Sequence, residues 1–172
     1  GCDKTTPAGI MAASTVDIPA IVLSGGPMLD GWHDGELVGS GTVIWRSRRA
    51  LAAGLIDEAT FLDRATSSAP SLGHCNSMGT ASTMNAVAEA LGLSLTGCAA
   101  IPAPYRERGQ YAYRTGRRIV EMVHEDLRPS RILTRDAFLN AIATVSVCGG
   151  SSNAQPHIVA MARHAGVELE PA

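Results

Sequence analysis

The chain has 172 residues and a mass of 17.9 kDa, and its 16 acidic residues outnumber its 14 basic ones for a formal net charge of -2. With 45% hydrophobic and 17% charged residues and no basic excess, it is neither a disordered chain nor a general nucleic-acid binder. No apolar run approaches the ~20 residues of a membrane span, and the length fits one domain with one sizeable core.

The chain opens on Gly1-Cys2-Asp3-Lys4, with no Met and no signal or transit sequence, and stops just after a strand-like Val167-Glu168-Leu169. Chemically loaded residues at a terminus are unusual, because termini fray. The expectation is an internal piece of a longer protein. Thr5-Thr6-Pro7 predicts a helix start, with the helix running to about residue 14. The apolar run 18–23 leads into Ser24-Gly25-Gly26-Pro27 and predicts a buried strand entering a loop. Six glycines between residues 25 and 41 predict a long loop.

Helices are predicted over about 42–53 and 57–67, with Asp57 capping the second and Pro70 closing it. Residues 77–91 are a strong helical candidate, with Met78, Ala81, Met84, Ala88 and Leu91 on one face and Gly92 as the stop. Residues 94–101 read as a strand of small residues. A helix over 105–126 carries Ala112, Ile119, Met122 and Val123 inward. Thr134 caps a helix to about 147, Ser151 or Ser152 caps one to about 165, and 167–169 fits a strand. The expected fold class is α/β, with layered helices around a mostly parallel sheet, in a single domain over 1–172.

Lys4 is the only lysine beside thirteen arginines. Composition leaves two readings open: a chance survivor of arginine bias, or a position that needs an amine. Arg106, Arg108, Arg114, Arg117 and Arg118 cluster on one predicted helix and read as a solvated face or a subunit contact rather than an RNA site.

The four cysteines, Cys2, Cys75, Cys98 and Cys148, include no C-x-x-C pair, which argues against a zinc ribbon or a thioredoxin-type site. Cys98 and Cys148 fit buried small hydrophobes. Cys2 and Cys75 each sit among polar residues at a predicted helix start, where free N–H groups and the positive dipole end stabilise thiolate. Thiolate binds iron or acts as a nucleophile. A Cys-His enzyme is the rival, with His33, His124, His157 and His164 as possible partners. His74 adjoins Cys75, and sequence neighbours rarely form such a pair. There is no Walker loop, no dinucleotide fingerprint, no nucleophile elbow and no zincin motif.

Cys2-Asp3-Lys4, Gly73-His74-Cys75-Asn76-Ser77-Met78-Gly79-Thr80-Ala81 and Gly149-Gly150-Ser151-Ser152-Asn153-Ala154 resemble the IlvD/Edd dehydratase family. The third segment carries Ser152 where the family usually has Thr. Gly25-Gly26-Pro27-Met28, Gly31-Trp32-His33 and Ala100-Ile101-Pro102-Ala103-Pro104-Tyr105-Arg106 resemble its pentonate branch, the L-arabinonate and D-xylonate dehydratases.

The resemblance implies a hydro-lyase that removes water from a sugar acid such as L-arabinonate to give the 2-oxo-3-deoxy acid. D-xylonate or a branched-chain dihydroxy acid is the alternative substrate. It implies a [2Fe-2S] cluster with Cys2 and Cys75 as two of three cysteine ligands. It also implies Mg²⁺ held by Asp3 and by Lys4 as a carbamate. The third cysteine and a second acidic ligand are expected upstream. No catalytic residue is assigned within the chain, because the base serine is expected in a C-terminal domain that is absent. His33 and His74 are not assigned. Ser151, Ser152 and Asn153 either line the site or only cap a helix. The expected partner is a small-molecule sugar acid, with no nucleic acid and no membrane. The full-length protein is expected to be cytoplasmic and a homo-oligomer, and the 172-residue piece alone could be non-catalytic.

Overall fold

Helix α4 (Thr80–Ala90) is the centre of the molecule, and its many small residues (Ala81, Ser82, Ala86, Ala88 and Ala90) let neighbouring helices approach on several sides. The computed structural model describes residues 3–169, so Cys2 lies outside the described residues. Around α4 pack α1 (Thr5–Val16), α7 (Arg135–Val147) and α8 (Ala154–His164). Their shared core contains Ile10, Met84, Val87, Ala88, Leu91, Phe138, Ala141, Ile158 and Met161. Every one of these is almost fully removed from water, which is the main favourable term in folding.

The remaining helices are α2 (Val43–Ala52), α3 (Glu58–Ser67), α5 (Arg106–His124) and the short α6 (Pro129–Ile132). Asp57 and Thr134 cap α3 and α7 as expected: their side chains accept from the backbone N–H of Thr60 at 2.8 Å and of Ala137 at 3.3 Å. The N-cap of α8 is Asn153, without a side-chain cap bond. Ser151 Oγ does accept from the Asn153 N–H at 3.2 Å, but it also reaches Thr80.

The chain is α/β and mostly helical, with one two-stranded antiparallel sheet among the described residues. The mostly parallel sheet expected from the sequence is not formed. The run 18–23 stays without regular structure. Pro19 has no N–H to give a ladder, and Ile18 and Leu23 are exposed rather than sandwiched. Its contact to the rest of the fold includes one bond from Val22 N–H to the Leu93 carbonyl, at 2.6 Å. Segment 94–101 is folded into turns instead of a strand. The Glu89 carboxylate accepts from the Gly97 and Ala99 amides, and Cys98 N–H bonds the Leu95 carbonyl at 3.0 Å. Residues 167–169 pair with no strand.

The sheet that does form lies inside the predicted loop. Strands β1 (Gly31–His33) and β2 (Glu36–Val38) are joined by Asp34-Gly35, both at positive φ, the primed turn that fits strand twist. Trp32 and Leu37 face each other across it and are both exposed. His33 lies between Asp34 and Asp63, at 3.3 and 3.5 Å, tying the hairpin to α3.

Three further expectations need correction. The buried face of α5 is Arg108, Thr115 and Met122, while Ala112 and Val123 are exposed. Arg108 is therefore not part of a solvated arginine face. Its guanidinium donates to the carbonyls of Ser24, Cys98 and Ile101 and to Cys98 Sγ, pinning two stretches of loop. Cys98 is buried as expected, but Cys148 is exposed at the C-terminal end of α7.

Candidate functional site

The three motif segments lead into α1, α4 and α8, which pack against one another. Asp3 and Lys4 form the turn into α1, and Lys4 occupies the N-cap position. Lys4 Nζ donates to Asp3 Oδ2 at 2.9 Å, and both side chains reach solvent. That bond is the largest cause holding the Asp3 carboxyl below its ordinary range, and the charge of His157 on α8 adds to it. His157 Nε2 is itself buried with no hydrogen-bond partner among the described residues.

Cys75 sits in the loop before α4 as an exposed free thiol. Both of its neighbours are fixed. His74 N–H donates to the Gly26 carbonyl at 3.1 Å, and its own carbonyl accepts from Met28 N–H at 2.8 Å, a short parallel bridge with Pro27. Gly73 is required there. Its φ is +132°, and a Cβ would lie 2.5 Å from Met28 N. Asn76 donates to the carbonyls of Leu29 at 2.9 Å and Ser68 at 3.2 Å, and its Oδ1 accepts from the Ser40 N–H. The loop is thus held on both sides while the thiol stays accessible.

The His74 ring points into the protein. Its Nδ1 bonds the Cys75 carbonyl at 3.1 Å, and its Nε2 meets Asn85 Nδ2 at 2.7 Å. Asn85 Oδ1 in turn accepts from Thr6 Oγ1 at 3.4 Å. This chain joins the start of α1 to the Cys75 loop through α4. Burial pushes the His74 pKa down, so the ring is neutral near pH 7. His74 is therefore no thiol partner of the Cys-His kind, because it bonds the Cys75 backbone.

The third segment docks on the same end of α4. Ser151 Oγ lies 2.9 Å from Thr80 Oγ1, Ser151 N–H donates to Thr83 Oγ1 at 3.0 Å, and Asn153 Nδ2 approaches Thr80 Oγ1 at 3.4 Å. Gly150 allows this approach, since a Cβ would meet Thr83 Cγ2 and Val145 Cγ1 at 2.9 Å. A cavity of about 440 Å³ beside this segment is lined by Ile142, Val145, Gly150, Ser151, Ile158 and Leu169 among others.

Thr6, two residues after Lys4, and His74, next to Cys75, both bond Asn85 of α4, whereas Cys2 lies outside the described residues. Sequence reasoning missed Thr6, Thr80, Thr83 and Asn85. Asn85 carried a usable signal: a primary amide between Met84 and Ala88, on a helix otherwise rich in core residues, needs a buried partner. Among the described residues, no group of three or more His, Cys, Asp or Glu is gathered to hold a metal ion. The donors present still match two chemistries. An accessible thiol suits iron, and an ionised carboxylate beside an amine that CO₂ can convert to a carbamate suits Mg²⁺.

A family model described as dihydroxy-acid/6-phosphogluconate dehydratase N-terminal matches residues 1–172. The chain is 80% identical over 169 residues to a D-xylonate dehydratase of Caulobacter vibrioides, covering 98% of this chain and 28% of that protein. It is 52% identical to an L-arabinonate dehydratase of Rhizobium leguminosarum bv. trifolii, with 98% and 29% covered. It is 46% identical to a dihydroxy-acid dehydratase of Caldanaerobacter subterraneus subsp. tengcongensis, with 98% and 30% covered. The chain thus spans less than a third of the length of these relatives. With matching motif segments and a family model that covers it throughout, the chain belongs to the dihydroxy-acid/6-phosphogluconate dehydratase N-terminal family.

Proposed function

We propose that this chain is the iron–sulfur- and Mg²⁺-binding part of the N-terminal domain of a sugar-acid dehydratase. The observation that supports the reading is the bonding of Thr6 and His74 to Asn85 of α4 and of the Ser151 segment to Thr80 and Thr83 at the start of the same helix. The 80% identity to a D-xylonate dehydratase moves D-xylonate ahead of L-arabinonate as the substrate, with a branched-chain dihydroxy acid behind both.

Cys75, with Cys2 and a third cysteine upstream, would hold the [2Fe-2S] cluster. Asp3, Lys4 and a second upstream acid would hold Mg²⁺. When bound, these groups supply a Lewis-acidic iron for the leaving 3-hydroxyl and a hard cation for the carboxylate and 2-hydroxyl. Lys4 requires a change of charge to take part, because an ammonium repels a cation. Addition of CO₂ to the neutral Nζ forms an N–C bond, releases a proton and leaves a carbamate whose single negative charge is shared by two oxygens. The pair then changes from opposite charges to two negative ones, a combination that needs a divalent cation beside it. The starts of α1, α4 and α8 add positive potential that favours an anionic substrate. The base serine belongs to the C-terminal domain. We place the full-length protein in the cytoplasm as a homo-oligomer.

A second reading is that the 172-residue chain alone is non-catalytic. It is favoured by the family resemblance, which places one cluster cysteine and the base serine outside these 172 residues. Turnover decides the substrate. The full-length protein, prepared without air and supplied with Mg²⁺, should dehydrate D-xylonate with a higher kcat/KM than L-arabinonate or 2,3-dihydroxyisovalerate. Formation of the 2-oxo acid is followed by carbonyl derivatisation. Equal inactivity on all three acids would contradict the reading.

A further inference from the structure

We propose that the buried chain Thr6–Asn85–His74 is a positioning device that sets the Cys75 thiol relative to the Asp3–Lys4 turn. It rests on the reading of Cys75 and Asp3–Lys4 as ligands. All three members are buried: Thr6 is 8% exposed, Asn85 4% and His74 9%. Each link has one direction. The Thr6 hydroxyl donates to Asn85 Oδ1, and the Asn85 amide donates to His74 Nε2. A lone pair on Nε2 puts the ring proton on Nδ1, which then donates to the Cys75 carbonyl.

Thr6 is two residues from Lys4, and the last link ends on the residue that bears the thiol. The chain is therefore a direct mechanical connection between the two halves of the site. An all-apolar contact would fill the same space without aligning a peptide plane, and burying polar groups is costly unless each is paired. The His74 main-chain bonds to Gly26 and Met28 and the Asn76 bonds on the other side leave the Cys75 peptide orientation as the remaining freedom. The ring bond removes it.

The test uses thiol chemistry, which needs neither cluster nor substrate. Full-length apoprotein is alkylated with iodoacetamide, and the rate at Cys75 is compared with that at Cys148, an exposed thiol outside the chain. Asn85→Leu and Thr6→Val should each change the Cys75-to-Cys148 ratio by about threefold or more, the scale of one lost hydrogen bond. Thr6→Ser, which keeps the hydroxyl, should hold the wild-type ratio. Far-UV circular dichroism checks that each variant folds, and Thr6→Val decides the matter if Asn85→Leu does not. An unchanged ratio in folded Asn85→Leu or Thr6→Val overturns the positioning role. Iron content of the full-length wild type, purified without air and before its iron is stripped for alkylation, is measured in parallel. An iron-free protein would overturn the ligand reading, while the alkylation ratio still judges the positioning.

Discussion

Replacing Lys4 with Arg is expected to lower kcat of the full-length enzyme by at least about 10²-fold, the scale for losing one preorganised charge-stabilising group. The fold should be untouched, because the Lys4 side chain is 70% exposed and its partner is Asp3 beside it at 2.9 Å. Arginine keeps the positive charge and can keep that ion pair. It stays protonated and so has no free amine to take up CO₂, and no anionic oxygen appears at this position. On the proposed reading, a fixed cation would then stand where Mg²⁺ needs a donor. The visible spectrum should not change, since Lys4 carries no sulfur. Activity titrated against Mg²⁺, with an absorption spectrum of the same sample, checks both halves. Full activity in Lys4→Arg removes the carbamate from the account.

The largest effect on stability is expected at Phe138. It is fully buried on α7, in the core shared with Met84, Val87 and Met161. Phe138→Ala should cost about 3–5 kcal/mol, the usual range for emptying a packed aromatic site, since α4 and α7 cannot close over the void. Val147, at the end of the same helix, is 86% exposed, and Val147→Ala should stay within about 0.5 kcal/mol. Urea denaturation of the two variants makes the comparison. Similar midpoints for both would mean that the core does not centre on the α4–α7 contact.

The helices were legible because their signals are local. Asp57 and Thr134 cap where their side chains imply, and Ala81, Met84, Ala88 and Leu91 bury at helical spacing, whereas Met78, expected on the same face, precedes α4 and is exposed. The parallel sheet failed because short apolar runs do not say what they pair with. Pro19 and the amide-binding Glu89 are the reasons that 18–23 and 94–101 did not become strands. The hairpin was overlooked despite its Asp34-Gly35 turn, because the surrounding glycines read as loop. At the site, the three motif segments were visible as residues, but what joins them was not. Thr6, Thr80, Thr83 and Asn85 are ordinary polar residues whose role appears only when distant helices meet. Arg108 shows the same limit, since a helical arginine cluster gives no hint that one member turns inward to bind carbonyls.

The account stands on Cys75 being a cluster ligand at the start of α4. The most direct measurement is iron, acid-labile sulfide and visible absorption of the full-length protein purified without air, beside Cys75→Ser. A [2Fe-2S] centre held in part by Cys75 gives about two irons per chain and a coloured wild type. In Cys75→Ser the visible bands should be lost and the helical content unchanged. Wild-type iron and an unaltered spectrum in Cys75→Ser would contradict it.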